Sequence, residues 1–185
     1  HGHTAAVHDA LTRVPGSFDE TVAGIRNAVA LKAPALDLGV NVTVATQNVG
    51  HLPAIADLAY DLGVRKLNLQ LVTPFGRAGL RVVPPMAHAV ESVREVLDRN
   101  AGRMTVHVVN AQPCLFPAGY AGNVAGDYQK VGRTMVFVTE EEVNLFGYLA
   151  SRRVRRAECI ECARSVLCEG FFDFTEEGEP DAPES

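Results

Sequence analysis

Along the first hundred residues the spacing of apolar positions switches repeatedly between two periods. From Ser17 it is helical: Ser17 is placed as an N-cap, Glu20 follows three residues later as in a capping box, and Val22, Ile25 and Val29 share one face. Val40-Asn41-Val42-Thr43-Val44-Ala45 then alternates and is β-branched, which predicts a strand. Leu52, Ile55, Leu58, Ala59 and Leu62 return to helical spacing with Gly63 placed to end the helix, and residues 66–72 form the next strand. After Pro84-Pro85 a third helix carries Val90, Val93, Val96 and Leu97 as far as Gly102, and residues 104–109 make a third strand. Strand, helix, strand, helix, strand with short links predicts βαβ units and a parallel sheet, whose ligands gather at the carboxyl ends of the strands. The chain opens on a loop that runs straight into a helix, so the first helix has no strand of its own before it.

Beyond residue 110 the pattern changes. Residues 110–130 are rich in Gly, Pro, Tyr and Ala, and residues 134–139 and 143–149 read as a hairpin across Glu140-Glu141-Glu142. The expected organisation is therefore an α/β part over residues 1–110, a small module over 111–174, and an acidic, Pro-containing disordered tail over 175–185.

Composition narrows the function classes. A chain of 185 residues with 47% hydrophobic content suffices for one well-buried domain with a small appendage. A formal net charge of -5 carries no electrostatic footprint for nucleic acid. No window has the apolar length to span a bilayer, and the first residues lack signal-peptide architecture, which predicts a cytoplasmic protein without membrane partners. Arg152, Arg153, Arg155 and Arg156 form one basic run, read first as a solvated face. Its place just before a cysteine cluster keeps a second reading open, in which cations offset thiolate charge.

That cluster is the most distinctive chemistry in the sequence. Cys159, Cys162 and Cys168 lie within Cys-Ile-Glu-Cys-Ala-Arg-Ser-Val-Leu-Cys, and Cys114 follows Pro113 far upstream. Thiolates at this density are the ligands zinc and iron-sulfur clusters require. Disulfides fit poorly with a chain that is neither short nor secretory, and buried inert cysteines are the plainest alternative. A zinc ribbon brings two Cys-x-x-Cys knuckles, whereas here there is one knuckle, a lone Cys168 and a lone Cys114, an asymmetry that leans toward iron-sulfur without excluding zinc. His1, His3 and His8 are close in sequence but lack a ligand register, and His51, His88 and His107 are isolated and read as structural.

Cys-x2-Cys-x5-Cys after an upstream Pro-Cys resembles the auxiliary-cluster region of radical S-adenosylmethionine (radical SAM) enzymes, of the SPASM or shorter twitch type. His8-Asp9-Ala10-Leu11-Thr12-Arg13-Val14-Pro15-Gly16-Ser17-Phe18, with Thr21 and Gly24-Ile25, resembles the segment after the third strand of that family's partial (βα)6 barrel. Leu62-Gly63-Val64 before a strand and Pro74-Phe75-Gly76-Arg77-Ala78 after it also match, so the resemblance reaches from His1 to about Phe174. Two departures accompany it. The family's Cys-x3-Cys-x2-Cys, which holds the SAM-cleaving cluster, would lie upstream of His1 with the first strands. Phe172 stands where a full SPASM pattern places a further cysteine, leaving residues for one auxiliary cluster.

The resemblance implies the C-terminal part of a TIM-like partial barrel followed by a small Cys-rich module with a β-hairpin. It implies an auxiliary 4Fe-4S cluster on Cys114, Cys159, Cys162 and Cys168, with SAM bound in the complete enzyme. The implied reaction is hydrogen abstraction from an unidentified peptide or small-molecule substrate by a 5'-deoxyadenosyl radical, and catalytic residues are not identified. Thr43, Asn48 and Gln70, on or just after strand ends, are the candidate SAM contacts, with satisfied strand-end polar residues as the alternative. Arg77 is read as a surface ion pair or a carboxylate partner. A chain lacking the SAM-cluster motif is expected to be inactive alone, or to act with an upstream chain or domain. The competing class is a structural or interaction module in which the four cysteines hold zinc, without catalysis.

Overall fold

The computed structural model describes residues 1–31, 37–73, 79–124, 134–136, 142–144, 147, 151–165, 168 and 170–172. Its packing divides the chain into two units, His1–Ala125 and Gly126–Ser185, each of which is described by itself. The segment Pro74-Phe75-Gly76-Arg77-Ala78 and the acidic tail lie outside the described residues.

The first unit starts with a helix where a loop was expected. Helix α1, Ala5–Thr12, is capped by Thr4, whose hydroxyl accepts the Val7 N–H at 3.4 Å, and it ends at Arg13 in the left-handed conformation with φ 59°. Its one buried residue is His8, and its apolar positions at helical spacing, Val7 and Leu11, stay half-buried. Helix α2, Ser17–Ala30, begins one residue earlier than a Ser17 cap would place it: Gly16 is the N-cap, with φ 83°, and Ser17 is already helical. The cap chemistry comes instead from α1. The Asp9 carboxylate accepts the Gly16 N–H at 2.8 Å, the Phe18 N–H at 2.9 Å and the Ser17 hydroxyl at 2.9 Å.

Strand β1 (Val40–Val44), helix α3 (Leu52–Asp61), strand β2 (Lys66–Leu71), helix α4 (Met86–Asn100) and strand β3 (Thr105–Val109) follow in the expected order. The strands form one parallel sheet, β1-β2-β3, with Val42 opposite Leu69 and Leu69 opposite Val108. α3 ends in a Schellman motif at Gly63, φ 92°, where the Gly63 N–H reaches the Tyr60 carbonyl and the Val64 N–H the Ala59 carbonyl. A Cβ at Gly63 would stand 2.9 Å from Val29 Cγ1, so glycine serves both the turn and the approach of α2.

Because side chains alternate along a strand, each strand presents one apolar and one polar row. Val42, Val44, Leu67, Leu69, Leu71, Val106 and Val108 form the buried row, in one core with Leu52, Ile55 and Ala56 of α3 and with Ala89, Val93, Val96 and Leu97 of α4. The core continues past the third strand: Phe116 and Val124 join it, and Val124 bridges in parallel to Val108. The first packing unit therefore runs on through Ala125 and includes Cys114.

In the second unit, β4 (Thr134–Val136) and β5 (Glu142–Asn144) pair antiparallel, with Glu142 opposite Val136 and thus inside a strand rather than in the turn. β6 (Arg153–Val154) and β7 (Phe171–Phe172) make a second antiparallel pair, Arg153 opposite Phe172 and Val154 opposite Phe171.

The two rows of β2 differ sharply in energetic weight. Leu69→Ala, which empties a side chain with no exposure on the central strand, is expected to cost about 2–5 kcal/mol in urea unfolding. Gln70→Ala, exposed on the opposite face, should stay within about 0.5 kcal/mol of wild type. Equal costs would show that the polar face is packed as a second core.

Candidate functional site: the polar face of the sheet and the cysteine loop

The face turned away from the core is polar in register. Asn41 aligns with Asn68 and Asn68 with His107, and one step nearer the carboxyl ends Thr43 aligns with Gln70 and Gln70 with Val109. Asn68 donates to the Asn41 side-chain oxygen at 2.7 Å. Asn41 and Gln70 are exposed, and Thr43, Asn68, His107 and Val109 are half-buried. Purely parallel sheets ordinarily carry near-continuous apolar strands because both faces are covered, so three alternating parallel strands mark one face kept for polar contacts.

At the carboxyl end of β1 a cleft of about 460 Å3 opens among His1, Thr12, Arg13, Thr43, Ala45 and Val82. Thr43 and Gln70 thus stand side by side at the strand ends, and Thr43 lines the cleft. Asn48 does different work. It is fully buried, its Oδ1 accepts the Ala45 N–H, and its Nδ2 donates to the carbonyls of Thr43 and His1, each at 2.8 Å. With both donors and its oxygen engaged by backbone, it fixes the end of β1.

Two residues that periodicity did not single out shape this end of the sheet. Arg13, at the left-handed end of α1, lines the cleft. Asp9 locks the α1–α2 corner; the readable signal was an Asp seven residues before Gly16-Ser17, a spacing that acquires meaning only once α1 is known to be a helix. Partial desolvation raises the Asp9 carboxyl, but the hydrogen bonds from Gly16, Ser17 and Phe18, with His8 adjacent, outweigh it and hold the group below its ordinary 3.8. His8, packed edge-on to Phe18 at 5.8 Å, is pushed below its ordinary 6.5 by burial, with Asp9 opposing.

The other histidines spread over the same unit. His3 and His51 lie with ring centroids 5.1 Å apart, and His1 and His8 at 5.8 Å. Among the described residues no three His, Cys, Asp or Glu side chains converge at metal-holding distance. His107 belongs to the polar face, and His88 is exposed on α4.

In the second unit, Cys159 closes a 3-10 turn, Ala157–Cys159, and the Cys162 N–H returns to the Cys159 carbonyl at 3.4 Å. Cys159, Cys162 and Cys168 are free and half-buried, thiols of the type that thiophilic metals take, but the three are not brought together at metal-holding distance. Cys114, exposed and in no disulfide, sits on the 3-10 turn Pro113–Leu115 of the first unit. In the basic run Arg155 and Arg156 are exposed and Arg152 and Arg153 half-buried, and the guanidiniums of Arg153, Arg155 and Arg156 also meet the fold. Arg153 stacks over Phe172 at 3.9 Å and Arg156 over Phe171 at 3.8 Å, while Arg155 donates to the Ser165 and Cys168 carbonyls at 3.0 and 3.4 Å.

No family model and no solved structure matches the chain. Over 100 residues it is 31% identical to a protein of Oleidesulfovibrio alaskensis named AdoMet-dependent heme synthase. The similarity covers 52% of this chain and 24% of that relative. The chain thus spans about a quarter of the relative's length. Among the described residues no helix is long and apolar enough to cross a membrane.

The His8–Asp9 corner gives a signed pH dependence. Both groups are held low in the folded state, so the unfolded chain binds the protons first and stability rises with pH. The His8 contribution is complete above its ordinary 6.5 and is lost as pH falls through the folded value; Asp9 adds a loss of the same sign below its ordinary 3.8. In NMR, the His8 ring should titrate with a midpoint below 6.5. A midpoint at or above that value, or urea stability that increases on acidification through this range, overturns the assignment.

Proposed function

We propose that the chain is a stretch of a radical SAM enzyme in which the polar sheet face forms part of the wall of the substrate and SAM cavity. The observation that carries this reading is the set of three parallel strands with helices α3 and α4 in a shared core on one side and a polar row, ending at a cleft, on the other. That is the arrangement of a barrel wall whose ligands collect at the carboxyl ends of the strands. The similarity to a protein named for AdoMet dependence supports it.

Thr43 and Gln70 are assigned to ribose or amino-acid contacts with SAM, Asn48 to holding the strand end that presents Thr43, and Arg13 to an anionic group entering the cleft. Cys159, Cys162, Cys168 and Cys114 are assigned to one auxiliary 4Fe-4S cluster. The complete enzyme's SAM and clusters supply the radical and the electron, and this chain's part is to position substrate and exclude water. The protein is read as cytoplasmic, with a peptide or small-molecule substrate, and the remaining strands and the SAM-cleaving cluster come from an upstream segment or chain.

Four measurements test the reading. The reading frame upstream of His1 is expected to encode Cys-x3-Cys-x2-Cys, and a frame without it removes the radical SAM assignment. Anaerobic purification should give a brown protein with about four irons per auxiliary cluster, whereas a colourless protein with one zinc would support the four-cysteine structural module instead. Cys→Ala at each of the four positions should abolish metal loading, and retention in Cys114→Ala would take that residue out of the site. In the complete enzyme, Thr43→Val and Gln70→Ala should each weaken SAM binding about tenfold, the worth of one hydrogen bond of about 1.4 kcal/mol. Unchanged SAM affinity in both variants would remove the contact assignment.

A further inference from the structure

The two edges of the parallel sheet are unlike. Beyond β3 the Val108 N–H donates to the Asn123 carbonyl at 2.7 Å and Val124 bridges to Val108, whereas β1, among the described residues, pairs with β2 alone. The N–H and carbonyl of one strand residue point the same way, and successive residues alternate. In β1 the Val44 carbonyl accepts the Val72 N–H, so the even-numbered residues face β2. The odd-numbered ones face outward: the Thr43 N–H donates to His1 Nδ1 at 3.2 Å and its carbonyl accepts Asn48 Nδ2 at 2.8 Å. Asn41, two residues earlier, therefore turns its N–H and carbonyl to the same open side. An edge of this kind is a template for a further strand.

A cavity of about 40 Å3 accompanies the edge, lined by Phe18, Val22 and Ile25 of α2, Val42 of β1, and Ile55 and Leu58 of α3. Such a lining offers water too few polar partners and suits a small apolar side chain. The approach to the edge is itself built into the fold. The His1 carbonyl accepts Asn48 Nδ2 at 2.8 Å, and Gly2 is buried so close to α1 that a Cβ would stand 2.3 Å from the His8 nitrogen.

We propose that a further parallel strand docks on the open edge of β1, and that it is the stretch of polypeptide joined to the amino side of His1. This rests on the reading of the chain as part of a longer enzyme. Direction follows from His1: a segment that finishes at the carboxyl end of β1 runs parallel to it, whereas a second copy across a two-fold axis would meet β1 antiparallel. At ~3.3 Å per residue, roughly the five residues before His1 lie beside Val40–Val44. The Asn41 N–H and carbonyl pair with them. Residues aligned with Val40 and Val42 send an apolar side chain into the cavity under α2, and those aligned with Asn41 and Thr43 extend the polar row. The occupant is thus a short segment of alternating apolar and polar residues.

The 185-residue chain is compared with the same chain carrying about ten of its natural upstream residues, the length of a strand and its link, both without SAM or iron. In hydrogen exchange followed by NMR, the Asn41 amide should exchange at least about 100-fold more slowly in the longer protein, while the amide of Leu69 on the central strand is protected in both. Asn41→Pro removes the outward N–H. In the 185-residue chain, where that N–H meets solvent, it should unfold in urea at the same midpoint as Asn41→Ala; in the longer protein its midpoint should fall below that of Asn41→Ala. Equal exchange of the Asn41 amide in the two proteins overturns the proposal, as does an equal difference between the two variants in both. A 185-residue chain that sediments as a dimer, and as a monomer in Asn41→Pro, assigns the edge to a second copy and overturns it too. Because neither SAM nor iron enters, an upstream frame without Cys-x3-Cys-x2-Cys would remove the radical SAM reading and leave a protected Asn41 standing.

Discussion

The first unit depends on one constraint: a parallel sheet whose strands alternate. Parallel strands joined by helices ordinarily bury both faces, and their sequences then run continuously apolar. Here every second residue is spent on Asn41, Thr43, Asn68, Gln70, Thr105 or His107. Such a sheet is stable only if the helices cover the apolar row completely, and α3 and α4 do so, with Leu52 on α3 and Val93 and Val96 on α4 fully buried against Leu67, Leu69 and Val108. The polar row is then free to be selected for contacts rather than for packing. A one-residue slip of any strand would exchange the two rows, so the register that protects the core also aims the polar side chains.

The ends of the strands show how that aim is kept. Thr43 reaches the cleft only because the backbone around it is fixed, and Asn48, buried within the same turn, does the fixing by spending its whole amide on the carbonyls of Thr43 and His1 and the N–H of Ala45. On the other side of the cleft, α1 ends at Arg13, and the adjoining corner is held by Asp9 reaching across to the first turn of α2. A carboxylate placed against orphan N–H groups is favoured at a helix start, and here it ties α1 to the first turn of α2.

What could be read in the sequence follows the same physics. β1, β2, β3, α3 and α4 were legible because burial imposes a period, and Gly63 was legible because a left-handed helix end favours glycine. α1 was not, because its buried residue is a histidine and its apolar positions, Val7 and Leu11, are few and only half-buried. Ser17 looked like a cap because Ser followed by Glu three residues on usually is one; the actual cap acceptor is Asp9, eight residues earlier, and pairwise spacing cannot reveal an interaction that depends on where another helix lies. Asn48 was found by its place after a strand, but its role came only from its burial.

The arginine run shows a mixed case: composition points to solvent, Arg155 and Arg156 are exposed, and the fold engages their guanidiniums as well. A guanidinium is weakly hydrated and planar, so it stacks on an aromatic face at little cost, and Phe171 and Phe172 provide such faces once β6 and β7 pair. Pairing alternates the side chains, so consecutive basic residues need not share one environment. Arg153 and Arg156 settle over the rings, and Arg155 is left to reach the carbonyls of Ser165 and Cys168. Neither the cysteine spacing nor the basic run predicts that contact alone. It arises because a two-residue ribbon brings the residues before the first cysteine beside those after the last, which makes the charge of one segment part of the environment of the other.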